Sequence, residues 1–201
     1  MTTTEIIKKR YNRTSLFYDC MDKMVNQETR KKVMGYARGK VLEVGVGTGQ
    51  NLKYYPRGCD VTAIDFSPGM IKKARMRAEG LPNVKLYEMD VQNLAFPDNT
   101  FDTILATCVF CSVPDPVKGF AELQRVCKPN GQLIFLEHIR SDRQILGMLM
   151  DLFNPLVVRL IGANINRRTL ENIETAGLKL EQVDTVGMEV IKLIIAKPNK
   201  A

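Results

Sequence analysis

The segment Val41-Leu-Glu-Val-Gly-Val-Gly-Thr-Gly-Gln50 decides how the rest of the chain is read. Its opening is a short apolar run, suited to one buried strand and interrupted only by Glu43. Gly45, Gly47 and Gly49 then alternate with other residues, a pattern that suits a tight turn bringing backbone close to a ligand. If a helix follows, the turn lies at the carboxyl edge of an open α/β sheet, where such sheets bind ligands.

Outward from this segment, apolar runs alternate with helical spacing. The runs Lys40–Val44, Cys59–Ile64, Val84–Glu88, Phe101–Thr107, Gln132–His138, Leu178–Val186 and Val190–Lys197 read as strands. Gln50–Tyr55, Pro68–Glu79, Pro116–Cys127 and Arg167–Ala176 read as helices between them. Ser67 and Asp115 are candidate N-caps ahead of Pro68 and Pro116. Lys128-Pro-Asn-Gly131 reads as a turn, and Gly177 fits a helix C-terminus. The fold expected is α/β: a Rossmann-like, doubly wound, seven-stranded and mostly parallel sheet. A short link at Gly187 closes it with an antiparallel C-terminal hairpin.

Three segments follow: an N-terminal helical lid over 1–39, a core over 40–201, and within the core a helical insertion over 141–163. The insertion is Met- and Leu-rich and reads as broken at Asn154-Pro155. Composition is that of a globular chain, with 45% hydrophobic and 25% charged residues in 201. The N-terminal stretch places charge where a signal peptide needs an apolar core, and five cysteines fit a reducing compartment. The location expected is therefore cytoplasmic. The net charge of +7 is concentrated in two places. Residues 1–40 hold ten Lys/Arg against four Asp/Glu, and residues 140–170 hold five Arg against two Asp. Such a surface attracts anionic partners, or is simply solvated.

The ligand of the glycine turn follows from the acids around it. A dinucleotide fingerprint needs its third glycine three residues after the second, and here the interval is two. Glu43 beside the turn disfavours a pyrophosphate and suits an ammonium group. Asp65, closing the second strand, can accept both hydroxyls of a ribose, and Asp90, after the third, can accept from an adenine amino group. An amino-acid headgroup, a ribose and an adenine in that order describe S-adenosylmethionine.

At this point the chain resembles the class I S-adenosylmethionine-dependent methyltransferases. The match is carried by Glu43-Val-Gly-Val-Gly-Thr-Gly49, Ala63-Ile-Asp-Phe-Ser-Pro-Gly-Met70, Met89-Asp90, Phe96-Pro-Asp-Asn-Thr-Phe-Asp102 and Lys128-Pro-Asn-Gly131. The resemblance implies S-adenosyl-L-methionine as cofactor. Glu43, Gly45, Gly47, Gly49, Asp65, Phe66, Met70, Asp90, Val91 and Thr107 are the residues expected to bind it. Tyr11-Asn-Arg, Phe17-Tyr-Asp19, Leu136-Glu-His-Ile-Arg140 and Asn164-Ile-Asn-Arg167 narrow it to ubiquinone-biosynthesis-like relatives. That group includes bacterial phospholipid N-methyltransferases and small-thiol methyltransferases. It implies that the N-terminal helices fold over the cofactor and that Tyr18 reaches into the site.

His138, the one histidine, ends the fifth strand. It and Tyr18 are the expected catalytic residues, His138 as proton acceptor near neutral pH. Cys108 and Cys111 lack a second ligand pair, so they read as small apolar pocket residues and no metal is expected. Thr107-Cys-Val-Phe110 lacks the Asn/Asp-Pro-Pro-Tyr-like set of enzymes acting on nucleic-acid bases, so no nucleic acid is expected. The acceptor expected is lipid-like or small and hydrophobic, first a phospholipid amine. A small thiol or the ring carbon of a quinone precursor is the alternative. A non-catalytic lipid- or nucleic-acid-binding module that retains the pocket is the alternative of another class. Apolar residues of the insertion, flanked by Arg143 and Arg159, suit either a packed flap or a helix lying on anionic membrane at its inner surface.

Overall fold

The computed structural model describes residues 25–160 and 162–200. Helix α1 (Gln27–Met34) leads into β1 (Lys40–Val44), and a single 3-10 turn (Leu52–Tyr54) links β1 to β2 (Asp60–Asp65). There follow α2 (Pro68–Ala78), β3 (Val84–Glu88), β4 (Phe101–Thr107), α3 (Pro116–Val126) and β5 (Cys127–His138). The chain ends with α4 (Gln144–Leu160), α5 (Thr169–Thr175), β6 (Lys179–Thr185) and β7 (Ile191–Lys197). The sheet runs β3-β2-β1-β4-β5-β7-β6, with β7 antiparallel to both its neighbours and the other pairs parallel. The expected Rossmann-like sheet and terminal hairpin are both present.

Local chemistry sets the helix starts. The Ser67 hydroxyl accepts from the Met70 N–H at 3.3 Å, and Asp115 Oδ1 from the Lys118 N–H at 3.0 Å. Strand alternation then divides the core between two faces. Leu42, Val44, Ile104, Leu133 and Phe135 pack under Phe120, Leu123 and Ile173. On the other face Val41, Val61, Leu105, Ile134 and Leu136 pack with Val33, Met34, Ile71 and Ala74.

Three local expectations need correction. Gln50–Tyr55 is no α-helix, because Pro56 holds Tyr55 in extended backbone and the Asn51 side chain is engaged elsewhere. Lys128–Gly131 is an excursion inside β5. Opposite Phe101 and Thr103 the register jumps from Cys127 to Gln132, and Lys128 Nζ pairs with Asp102 at 2.7 Å. The insertion is not broken at Asn154-Pro155, for α4 runs through Pro155. Polar side chains of this stretch tether it there. Asp151 accepts from Arg140 and Asn166, while Asn154 donates to Asn164 Oδ1 and accepts from the Ile165 N–H. Residues 1–24 of the expected lid, Tyr18 among them, lie outside the described residues.

Candidate active site

The parallel registers align the carboxyl ends of β1 to β5 on one edge. Val44 pairs with Ile64 and Ala106, Asp65 with Glu88, and Thr107 with Leu136. The chain therefore leaves the sheet at Gly45, Phe66, Met89, Cys108 and Ile139 side by side. At β1/β4 the order turns from one half of the sheet to the other, the position at which open α/β sheets form a ligand crevice.

A cleft of about 630 Å³, mouth included, opens there. Its lining includes Gly45, Gly47, Asp65, Phe66, Met70, Asp90 and Val91, seven of the ten residues expected to hold the cofactor. Val44, Ile64, Cys108, Val109, Ser112 and Val113 supply its apolar and small remainder. Gly45 (φ 65°) and Gly47 (φ 56°) adopt the left-handed backbone that glycine permits. A Cβ at Gly45 would sit 2.4 Å from Val109 Cγ2, so the turn passes directly beneath the loop that follows β4. Gly49 does not line the cleft. A Cβ there would meet Leu52 and the Ala74 backbone, so this glycine lets the turn approach α2.

Asp65 is buried at the end of β2. Its Oδ2 accepts from the Gly47 N–H at 3.0 Å and its Oδ1 from the Ser67 N–H at 2.9 Å. Burial nonetheless lifts its carboxyl to about 6. Asp90 accepts from the backbone and side-chain amide of Gln92, whose Oε1 accepts from the Asp115 N–H. This exchange joins the segment after β3 to the start of α3.

Glu43 and Thr107 lie on the sheet face of Val41 and Leu105, away from Val44 and Ile64, bridged by Asn51. Asn51 Nδ2 donates to Glu43 Oε1 at 2.8 Å and reaches Thr107 Oγ1 at 3.4 Å. Its Oδ1 accepts from Arg30 Nη1 of α1 at 2.7 Å. Burial pushes the Glu43 carboxyl to about 7, against the pull of Asn51, Tyr55 and Arg30. Tyr55 lies close enough to Glu43 for each to perturb the other, yet Glu43 Oε2 and the Tyr55 hydroxyl form no well-aligned hydrogen bond. Arg30, Asn51 and Tyr55 escaped the sequence reading. An arginine in a helix before β1 and an asparagine after the glycine turn carry no local signal that they meet.

His138 ends β5 half-buried, and burial lowers its imidazole below the ordinary value, keeping it neutral. It does not line the cleft. Alternation places it with Ile134 and Leu136, on the face of Glu43 and Thr107. Its neighbour Glu137 points the other way and is buried, with Oε1 accepting from the Val109 and Phe110 N–H groups at 2.9 and 3.2 Å. Burial raises Glu137 to about 7. Cys108 lines the cleft, and burial pushes the thiol of Cys111 up to about 12. Among the described residues no group of three or more His, Cys, Asp or Glu is placed to hold a metal ion.

Residues 42–135 match the family described as a methyltransferase domain. The chain is 37% identical to a phosphatidylethanolamine N-methyltransferase of Cereibacter sphaeroides, over 69% of this chain and 71% of that one. It is 32% identical to a thiol S-methyltransferase of Rattus norvegicus, over 72% of this chain and 62% of that one. It is 29% identical to a demethylmenaquinone methyltransferase of Clavibacter sepedonicus, over 79% and 67%. Among solved structures, a geranyl diphosphate methyltransferase in complex with S-adenosylmethionine superposes with a TM-score of 0.72 at 16% identity. That match covers 85% of this chain and 83% of the other and reflects the shared fold.

Proposed function

The chain belongs to the class I S-adenosylmethionine-dependent methyltransferases, and we propose that within that family its acceptor is the amine of a phospholipid of the phosphatidylethanolamine type. The observation that carries this reading is the outer face of α4. Ile145, Met148, Leu149, Leu152, Phe153, Leu156 and Leu160 recur at helical spacing there and are exposed, Ile145 at 73% and Leu152 at 71%. The polar side chains Asp151 and Asn154 are instead engaged by Arg140, Asn166, Asn164 and the Ile165 N–H. A helix with its apolar stripe on the outside suits a lipid surface; exposed Arg143, paired with Glu189, precedes the stripe and basic Arg159 stands near its end. No helix of the described residues is long and apolar enough to cross a membrane. The reading is thus of peripheral contact with anionic lipid at the inner membrane surface, from the cytoplasmic side.

The residues fit S-adenosylmethionine. Gly45 and Gly47 form a cradle with no side chains to obstruct it, and Glu43, buried behind the turn beside Asn51 and Tyr55, is the acid proposed for the ammonium group. Asp65 is suited to ribose hydroxyls and Asp90 to an adenine amino group, with Phe66, Met70 and Val91 as apolar walls. Thr107, joined to Glu43 through Asn51, completes the methionine end. When bound, the donor supplies a methyl group on an electrophilic sulfonium, so the protein's main work is to orient the acceptor and exclude water. The acceptor nitrogen gains a methyl and must shed a proton. His138, with its neutral form favoured by burial and at the strand end on the Glu43 side, is the group proposed to take it, and the family resemblance implies a part for Tyr18.

The test is a donor carrying a labelled methyl group, incubated with protein and a heat-treated extract containing lipids. Label in non-volatile phospholipid supports the amine. Label in a volatile product would replace it with a small thiol, and label in a neutral lipid ring with a quinone precursor.

A further inference from the structure

The loop after β4 is gripped from beneath by two ionisable side chains, Glu137 fully buried and Arg167 partly so, that the cofactor contacts do not use. Cys108 turns the chain out of β4 with φ 54°, a strained value for a residue other than glycine. That turn directs the next two amide groups, of Val109 and Phe110, onto Glu137 Oε1. Further along, the Cys111 carbonyl accepts from the Asn164 N–H at 2.8 Å and from Asn164 Nδ2 at 3.0 Å. Arg167 Nη2 donates to the Val113 carbonyl at 2.8 Å and reaches that of Cys111 at 3.4 Å. Between these grips Phe110 is fully buried and stacked on Phe120, with ring centroids 3.7 Å apart. One acid therefore takes the loop's amides and one basic side chain its carbonyls; burial disfavours the charge on each, and each offsets part of that for the other. The same loop supplies Cys108, Val109, Ser112 and Val113 to the cleft.

We propose that Glu137 and Arg167 are positioning residues for methyl transfer, holding residues 109–113 so that Val109 stays seated over Gly45 and Ser112 and Val113 wall the cleft. Neither residue lines the cleft, so both act through the loop. Glu137 belongs to Leu136-Glu-His-Ile-Arg140 and Arg167 to Asn164-Ile-Asn-Arg167, two stretches that leave the cofactor contacts to other residues. The clamp gives both a physical task. The proposal rests on the methyltransferase reading and is independent of which acceptor is used.

The test compares Glu137→Ala, Glu137→Gln and Arg167→Lys with the parent by three measurements. These are amide hydrogen exchange at 109–113, calorimetric affinity for S-adenosylmethionine, and methyl transfer to phosphatidylethanolamine vesicles. Gln keeps an oxygen to accept both amides, so the expected pattern is loss in the Ala variant and recovery in the Gln variant. In Glu137→Ala, exchange at Val109 and Phe110 accelerates about 100-fold as the loop opens locally. Donor affinity drops about 10-fold, and kcat/KM for the vesicles drops about 100-fold through misplacement of the wall. Arg167→Lys keeps a donor for the carbonyls and is expected to shift exchange at 111–113 by less than about 10-fold. If Glu137→Ala does not fold, the Gln and Lys variants still decide. Fast loop exchange in Glu137→Gln equal to that of a global unfolding event would overturn the clamp. So would variants that lower the melting temperature together while donor affinity stays at the parent value. No transfer to vesicles by any protein, parent included, would count against the acceptor alone, leaving exchange and donor affinity to judge the clamp.

Discussion

Asp65 Oδ2 accepts the backbone N–H of Gly47 at 3.0 Å, so the acid that ends β2 pins the glycine turn that ends β1. The same carboxylate is the one suited to ribose hydroxyls, and it is therefore held in place before any ligand arrives. Asp65→Ala removes both the pin and the acceptor. Hydrogen bonds to a charged group contribute about 1.5–3 kcal/mol each, so donor affinity is expected to fall roughly 10- to 100-fold. Asp65→Asn, with one carbonyl oxygen left, should fall between. Calorimetry with S-adenosylmethionine measures this, and an unchanged Kd in Asp65→Ala would remove Asp65 from the binding set.

The buried acids set opposite pH trends for stability and for donor binding. Burial lifts Glu43 and Glu137 to about 7 and Asp65 to about 6, above their ordinary values. A carboxyl raised in this way holds its proton more tightly folded than unfolded. Its ionisation costs stability, absent below the ordinary value and fully present above the folded one. His138, lowered by burial, works in the reverse sense below about 6.5, one group against three. Asp151, held at about 2 by Arg140 and then Asn166, affects stability only at lower pH. The urea midpoint is therefore expected to rise from pH 8 to pH 5, and Glu43→Gln to flatten the rise. Donor affinity should weaken over the same interval as Glu43 and Asp65 take up protons. Parallel trends would show that the donor does not need those acids ionised.

Gly45 and Val109 are coupled by contact. A Cβ at Gly45 would lie 2.4 Å from Val109 Cγ2, and valine is stiff at χ1, so it cannot swing aside. Gly45→Ala is expected to cost about 1–3 kcal/mol from the clash and the positive φ together. Val109→Ala in that background should recover the clash and leave the backbone strain. Urea unfolding of the four proteins in the cycle gives the coupling energy, and simple additivity would mean that the loop relaxes freely.

His138 is tested by separating binding from chemistry. Its side chain does not line the cleft, so His138→Ala is expected to leave the Kd for S-adenosylmethionine unchanged. If it takes the acceptor proton, kcat should fall by roughly 100- to 10,000-fold, with partial rescue by added imidazole. A kcat near the parent value would send the proton directly to water.

The sheet was legible because each strand ends in a signal that operates locally. Ser67 and Asp115 each cap the helix that starts at the next residue, accepting an amide three residues on, and the glycines of 45–49 stand together in the chain. Seven of ten expected cofactor residues meet in one cleft because strand ends of a parallel sheet converge on one edge. The contacts that escaped join distant positions. Glu137 reaches amides 27 and 28 residues earlier in the chain, Asn51 reaches Arg30, and Arg167 reaches Val113. No local pattern encodes such pairs. Pro155 misled for the opposite reason: a strong local breaker was overridden by tethers from Asp151 and Asn154.

Those tethers make the last prediction sharp, because they separate the two faces of α4. Gly147 and Met150 form its buried side and Asp151 and Asn154 tether it, so substitutions on the outer stripe should leave the fold intact. Leu152 and Phe153 are exposed at 71% and 52%, and exposed changes usually shift stability by less than about 0.5 kcal/mol. Burying a Leu or Phe side chain in a lipid interface gains about 1.5–3 kcal/mol. The double variant Leu152→Glu/Phe153→Glu is therefore expected to melt with the parent protein while losing most co-sedimentation with vesicles containing anionic lipid. Raised salt should weaken the parent's binding in part, because an arginine such as Arg159 contributes about 1 kcal/mol near such a surface, and Arg143, paired with Glu189, contributes less. Equal pelleting of parent and variant would leave the stripe without a lipid partner and move the acceptor toward a water-soluble thiol.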